Sequence, residues 1–161
     1  MENGFKIRFA TEKDASLLLE LIKELAKYEK LTDEVTASEK TLAETIFKKK
    51  YAEVIIAELN EEPIRFALFF HNFSTFLGKP GIYIEDLYIK ERFRCKGYGK
   101  QIFSFLANLA VERKCGRLEW WVLDWNVDAI NFYKSLGARA MDEWTVFRIS
   151  GSELQNLSKT N

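Results

Sequence analysis

Hydrophobic and polar positions change period several times along the chain, and each change marks an element. Phe5 to Phe9 alternates apolar and polar residues, the pattern of a short strand. Thr11 to Asp14 resembles a capping box, and behind it Leu18, Leu21, Ile22 and Leu25 share one face of a helix that should end near Lys30. A second helix is expected over Ser38 to Lys49. The β-rich run Glu53 to Leu59 meets a turn signal at Asn60 to Pro63 before Ile64 to Phe73 resumes as a strand, which reads as a hairpin. Gly78 to Gly81 breaks the chain again, and Ile82 to Ile89 is the next strand. Ile102, Leu106, Leu109 and Arg113 trace a helix, Leu118 to Leu123 a strand, Val127 to Ser135 a short helix ended by Gly137, and Trp144 to Ile149 a final strand. Antiparallel hairpins joined to one strand-helix-strand crossover predict an α+β fold. With 161 residues and no internal repeat or low-complexity run, the expectation is one domain over 1–161 with its core at about 5–150.

Charge narrows the partners. Lys plus Arg and Asp plus Glu both number 24, so nothing favours general attraction to nucleic acid or to an anionic membrane, and neither is expected as a partner. Cys95 and Cys115 are the only cysteines and read as free thiols, which fits a reducing compartment. The N-terminus lacks the basic segment and apolar run of a secretory signal, and no apolar run nears the roughly 20 residues of a membrane span, so a cytoplasmic address is expected. His71 is the only histidine and has no recognisable triad partner. The cysteines and His71 also lack metal-ligand spacing, so no metal is expected. The tryptophans Trp120, Trp121, Trp125 and Trp144 are read as core or dimer interface.

Between the strand ending at Ile89 and the helix from Lys100 lies Arg94-Cys95-Lys96-Gly97-Tyr98-Gly99, an Arg-x-x-Gly-x-Gly turn. The first turn of a helix carries N–H groups without internal partners and partial positive charge, and two glycines let the backbone approach a diphosphate. A Walker loop would need a different spacing, and a dinucleotide fingerprint would need a third small residue where Ile102 stands. The turn points to coenzyme A. Taken alone, it serves equally as a loop-to-helix junction with a solvated basic flank.

Three further blocks accompany it: Glu20 to Leu31, Tyr83 to Ile89, and Leu123 to Asn126 followed by Asn131 to Lys134 and Gly137-Ala138. In order and spacing these resemble the GNAT superfamily of N-acetyltransferases, and within it the diamine acetyltransferases, over residues 5 to 150. The resemblance implies the acyl-CoA N-acyltransferase fold, a mixed central sheet flanked by helices, acetyl-CoA as cosubstrate, and a homodimer. Acetyl transfer to an amine needs a neutral nucleophile, stabilisation of the developing oxyanion, and a proton for the departing thiolate. By resemblance, Glu85 is the base that takes the amine proton, directly or through water. In a regular strand its neighbour Asp86 faces the other way, and the family match selects Glu85 as the residue facing substrate. Tyr133 matches the tyrosine that protonates the leaving sulfur; a phenol titrates near 10 and is an acid at neutral pH. Asn126 matches a cofactor contact. Leu87, Tyr88 and Ile89 match the strand whose splayed backbone bonds the pantetheine arm, and Arg94, Cys95, Lys96, Gly97, Tyr98, Gly99 and Lys100 match the diphosphate loop. Tyr28, Glu29 and Asp142 match positions lining the amine site, beside Glu85.

One departure bears on the acceptor. In the segment His71 to Lys79, read as a loop, polyamine-specific members have an acidic residue and a tryptophan where this chain has Ser74 and Phe76. Ser74-Thr75 and Leu123 to Asn126 look more like the branch acting on thialysine and related small amino acids. The expected activity is acetyl transfer from acetyl-CoA to a primary amine of a small basic substrate, a thialysine-like amino acid, diamine or polyamine, in a ternary complex. The alternatives are acetylation of a protein N-terminus or lysine, and a non-catalytic CoA-binding module.

Overall fold

A computed structural model describes residues 4–159. Five strands form one sheet in sequential order: β1 (Phe5–Phe9), β2 (Glu53–Leu59), β3 (Glu62–Ser74), β4 (Lys79–Ile89) and β5 (Leu118–Trp120). β1 to β4 pair antiparallel, and β5 pairs parallel with β4. The parallel step needs a crossover, which is the helix α3 (Tyr98–Glu112). The chain gathers into two compact units, one up to Trp121 and one from Val122 onward. The sheet, α1 (Ala15–Glu29), α2 (Glu39–Leu42) and α3 belong to the first; α4 (Val127–Ser135) and α5 (Gly151–Leu157) belong to the second.

Local chemistry sets the helix ends. Asp14 accepts from the Thr11 N–H at 2.7 Å in the expected capping box and is clamped by Arg8 at 2.8 Å, which holds its carboxyl down to about 2. α1 ends at Lys30, whose left-handed φ of 61° lets its N–H close on the carbonyls of Ala26 and Lys27. Ser38 caps α2, which continues as a wider π turn through Ala43–Lys48.

Strand alternation gives the sheet two apolar faces. On one, Val54, Ile56, Phe66 and Tyr88 pack with Leu18, Leu21 and Leu25 of α1 and with Leu42 and Ile46. Each such side chain contributes about 1.5–3 kcal/mol relative to exposure. On the other, α3 covers the sheet: Phe105 meets Phe9 at 6.0 Å and Phe103 meets Trp120 edge-on at 4.8 Å.

Several expectations are corrected. The hairpin turn is only Asn60 and Glu61, both at positive φ (51° and 68°), as a two-residue turn matching strand twist requires. Pro63 lies inside β3, opposite Glu58 at a bulge, where its missing N–H is tolerated. The segment His71 to Lys79 is not a loop: β3 runs through Ser74, and only Thr75 to Gly78 turn before β4. β5 stops at Trp120 instead of Leu123, and Trp144 to Ile149 forms no strand. Strand formation needs a paired neighbour, so a β-rich composition alone does not produce one. The helix α5 had no counterpart among the expected elements. Trp120 is half-buried and packs edge-on against Phe103, whereas Trp121, Trp125 and Trp144 are exposed and do not belong to the core. Among the described residues no helix is long and apolar enough to cross a membrane.

Candidate active site

The Arg-x-x-Gly-x-Gly turn sits where an anion site belongs. Gly97 is the N-cap of α3 with φ at 81°, a left-handed conformation that suits glycine, and Cys95 shares it at 59°. α3 has neither a side-chain cap nor an acid in its first turn, so its sequence leaves the positive end of the dipole uncompensated. A Cβ built at Gly97 would meet no atom within 4 Å, so the backbone there is open to an approaching phosphate. Cys95, Lys96 and Lys100 are exposed beside it, and Gly99 is half-buried in the first turn. These features fit the diphosphate of coenzyme A. Arg94 is differently engaged: its Nε donates to the Ile89 carbonyl at 3.0 Å, and its guanidinium lies 4.0 Å over Tyr28 and 5.9 Å from the Tyr88 ring. It ties the loop to the end of β4 and to the end of α1.

The edge of β4 explains how an extended ligand could be held. Pairing with β5 covers only Ile82, Tyr83 and Ile84. From Glu85 onward no described strand pairs with that edge. Lys90 donates its N–H to Ile64 on the opposite, β3 side at 3.1 Å. Alternation therefore turns the backbone groups of Tyr88 toward β3 and those of Leu87 and Ile89 toward the open edge. Of the three expected backbone contacts, Leu87 and Ile89 are thus oriented outward, with the Ile89 carbonyl already accepting from Arg94, and Tyr88 is committed to the sheet.

The same strand carries a bulge that sequence periodicity does not reveal. Leu68 pairs with Asp86 and Phe69 with Ile84, so Glu85 is the extra residue. The premise of a regular strand at Glu85 and Asp86 fails. Glu85 is exposed at the bulge, whereas Asp86 lines a cavity of about 280 Å³ together with Glu29, Glu34, Ile22, Leu25 and Val35. Among the described residues no cation lines this cavity. Burial pushes the Asp86 carboxyl up to about 6, aided by the neighbouring charges of Glu85 and Glu29, and burial also raises Glu29. Three acids lining one open recess are complementary to a cation. Glu29 was expected there; Asp86 and Glu34 were missed. The signal for Asp86 lay beside Glu85 in the sequence, but only the bulge tells which carboxylate enters the cavity. Tyr28, expected in the amine site, lies beneath Arg94.

In the second unit, Asn126 caps α4 by accepting from the Ala129 N–H at 3.4 Å. Tyr133 is half-buried in the same helix, against Phe132 at 5.6 Å, and Gly137 follows the helix at φ 88°. Asp142 lies on an exposed turn, not beside a strand. Ser74 is buried at the end of β3, where its Oγ accepts from the Leu77 N–H at 3.3 Å, and it does not line the acidic cavity. His71 is exposed, both cysteines are free thiols, and no cluster of three metal-ligating side chains occurs among the described residues.

Comparison with known proteins identifies the family. Residues 17–138 match the Acetyltransferase (GNAT) family. The L-ornithine N5-acetyltransferase of Arabidopsis thaliana is 34% identical, over 97% of this chain and 89% of its own length. The thialysine N-epsilon-acetyltransferase of Bos taurus is 36% identical, over 94% of this chain and 96% of its own. Among solved structures, an integron cassette protein from the mobile metagenome of V. cholerae superposes with a TM-score of 0.82 at 29% identity, covering 98% of this chain and 99% of that one. The mixed sheet, the glycine turn at the start of α3 and these matches lead to one conclusion: the chain belongs to the Acetyltransferase (GNAT) family and is an N-acetyltransferase.

Proposed function

We propose that this enzyme transfers the acetyl group of acetyl-CoA to a primary amine of a small basic substrate, with thialysine-like and ornithine-like amino acids preferred over polyamines. The observation that carries the reading is the cavity lined by Glu29, Glu34 and Asp86 without a cation. The relatives named for thialysine and L-ornithine support the substrate class.

Acetyl-CoA, when bound, supplies a thioester carbonyl and a thiolate leaving group. The turn from Arg94 to Lys100 holds its diphosphate, with Gly97 allowing close approach. The outward backbone groups of Leu87 and Ile89 would hold the pantetheine arm, and an N–H of that edge would stabilise negative charge developing on the thioester oxygen. Asn126 contacts the cosubstrate. Asp86 and Glu29 orient the ammonium, and the family resemblance assigns Tyr28 and, in the second unit, Asp142 to the amine as well. Glu85 takes the proton that makes the amine nucleophilic, and Tyr133 gives its phenolic proton to the departing sulfur. Transfer is direct, from acetyl-CoA to the amine within a ternary complex. The two units work as one acetyltransferase domain over residues 1–161, in a cytoplasmic homodimer.

The test is a panel of thialysine, ornithine, spermidine and a lysine-bearing peptide, assayed for release of free CoA. The highest kcat/KM is expected for one of the amino acids. Activity on the peptide alone would move the enzyme to protein acetylation, and tight CoA binding without turnover of any amine would make it a binding module.

A further inference from the structure

Arg65, on β3, is fully buried, yet none of its three guanidinium nitrogens has a hydrogen-bond partner among the described residues. Its guanidinium carbon lies 4.7 Å from the centre of the Tyr98 ring and 5.6 Å from that of Phe5. The two rings stack 5.3 Å apart with 14° between their planes. Tyr98 is the first residue of α3 and a member of the glycine turn, and Phe93, just before that turn, packs edge-on against it at 6.5 Å. Arg65 also pairs in register with Ile89, the last residue of β4 before the chain enters the turn. Burial draws the guanidinium down to about 10, so it is still charged at neutral pH.

A desolvated cation with unpaired donors is a burden on the fold, because an apolar side chain of similar length could fill the same space without it. Aromatic faces return only part of the lost hydration. On β2, Glu58, next to Arg65's register partner Ala57, is already bonded to Lys6 and Arg8. Two positive sources, the guanidinium and the uncapped end of α3, therefore converge on one turn, and among the described residues no carboxylate bonds the guanidinium and none lies in the first turn of α3. An arrangement that costs stability and concentrates one sign of charge is expected where a ligand supplies the other.

We infer that Arg65 is a positioning residue for the diphosphate site: it seats Tyr98, fixing the first turn of α3, and places a poorly screened positive charge behind that turn. The inference rests on the reading of the turn as the coenzyme A diphosphate site.

Arg65→Met removes the charge and keeps the length, while Arg65→Lys keeps the charge. Calorimetric titration with CoA at several salt concentrations, thermal unfolding, and steady-state kinetics read the consequences. Arg65→Met should melt higher than the wild type and bind CoA about tenfold more weakly at low salt, the order expected of one poorly screened charge. Its salt dependence should be shallower and its KM for acetyl-CoA raised, with kcat at saturation and KM for the amine little changed. Arg65→Lys should keep most of the affinity. Wild-type CoA affinity and salt dependence in Arg65→Met would overturn the inference while leaving the diphosphate site in place. A methionine variant that melts lower or fails to fold would also overturn it, by showing that the guanidinium is a structural prop. Failure of the wild-type protein itself to bind CoA would remove the reading of the turn, and the inference with it.

Discussion

Asp86→Asn should make the protein more stable and a poorer enzyme, by an amount that depends on pH. Asp86 titrates near 6 in the fold against 3.8 for the free side chain, first because it is buried and then because Glu85 and Glu29 are near. A difference of about 2 units corresponds to about 3 kcal/mol at 1.36 kcal/mol per unit. The folded protein therefore holds this proton more tightly than the unfolded chain does. Between about pH 4 and 6 folding takes up a proton, and above pH 6 the ionised carboxylate opposes folding by the full amount. Asparagine carries no charge at any of these values. The substitution should raise Tm at pH 8 by about 6–12 °C for a chain of this size, and the gain should shrink to nothing near pH 4. The amine should respond in the opposite sense. Loss of a charged partner raises KM for ornithine or thialysine at pH 8 by about 10- to 100-fold, and the wild-type enzyme should lose amine affinity as pH falls through 6. Thermal unfolding from pH 4 to 8, with steady-state kinetics over the range where both proteins are folded, measures each part. A stability gain that is the same at every pH, or a lower Tm at pH 8, would refute the argument that the buried charge is the cause.

Tyr133→Phe should lower kcat by about 10²- to 10⁴-fold with CoA affinity retained, and alkaline pH should not relieve the defect; near-normal turnover would remove Tyr133 as the acid. The defect of Glu85→Gln should instead shrink as pH rises and more of the free amine is already neutral, and a pH-independent loss would make Glu85 a positioning residue. Gly97→Val should weaken CoA binding in a folded protein, because valine is strained at a φ of 81° and the turn must shift, even though its Cβ meets no neighbour; calorimetry giving wild-type affinity would discard the turn as the diphosphate site.

Most of the framework was legible in the residues because it rests on local rules. A period of two placed β1; β-rich runs bounded by turn signals placed β2 and most of β3 and β4; a one-sided apolar stripe and a capping box placed α1; Ile102, Leu106 and Leu109 placed α3; and the spacing of Arg94, Gly97 and Gly99 placed a glycine turn at a helix start. Family resemblance added the chemistry. Contacts between distant segments decided the rest. Trp144 to Ile149 has a strand's composition but no strand partner, and β5 ends early for the same reason: a ladder is a property of two segments, and neither segment encodes it alone. The bulge opposite Leu68 and Phe69 is likewise a matter of register between β3 and β4, and it determined that Asp86 lines the acidic cavity while Glu85 stays exposed. Arg65 shows the same division. In the sequence it is one charged residue within the apolar run Ile64 to Phe70, and only the packing of β3 against Phe5 and Tyr98 buries its charge without a partner, because burial is fixed by what lies above a residue in space and not by what lies beside it in the chain.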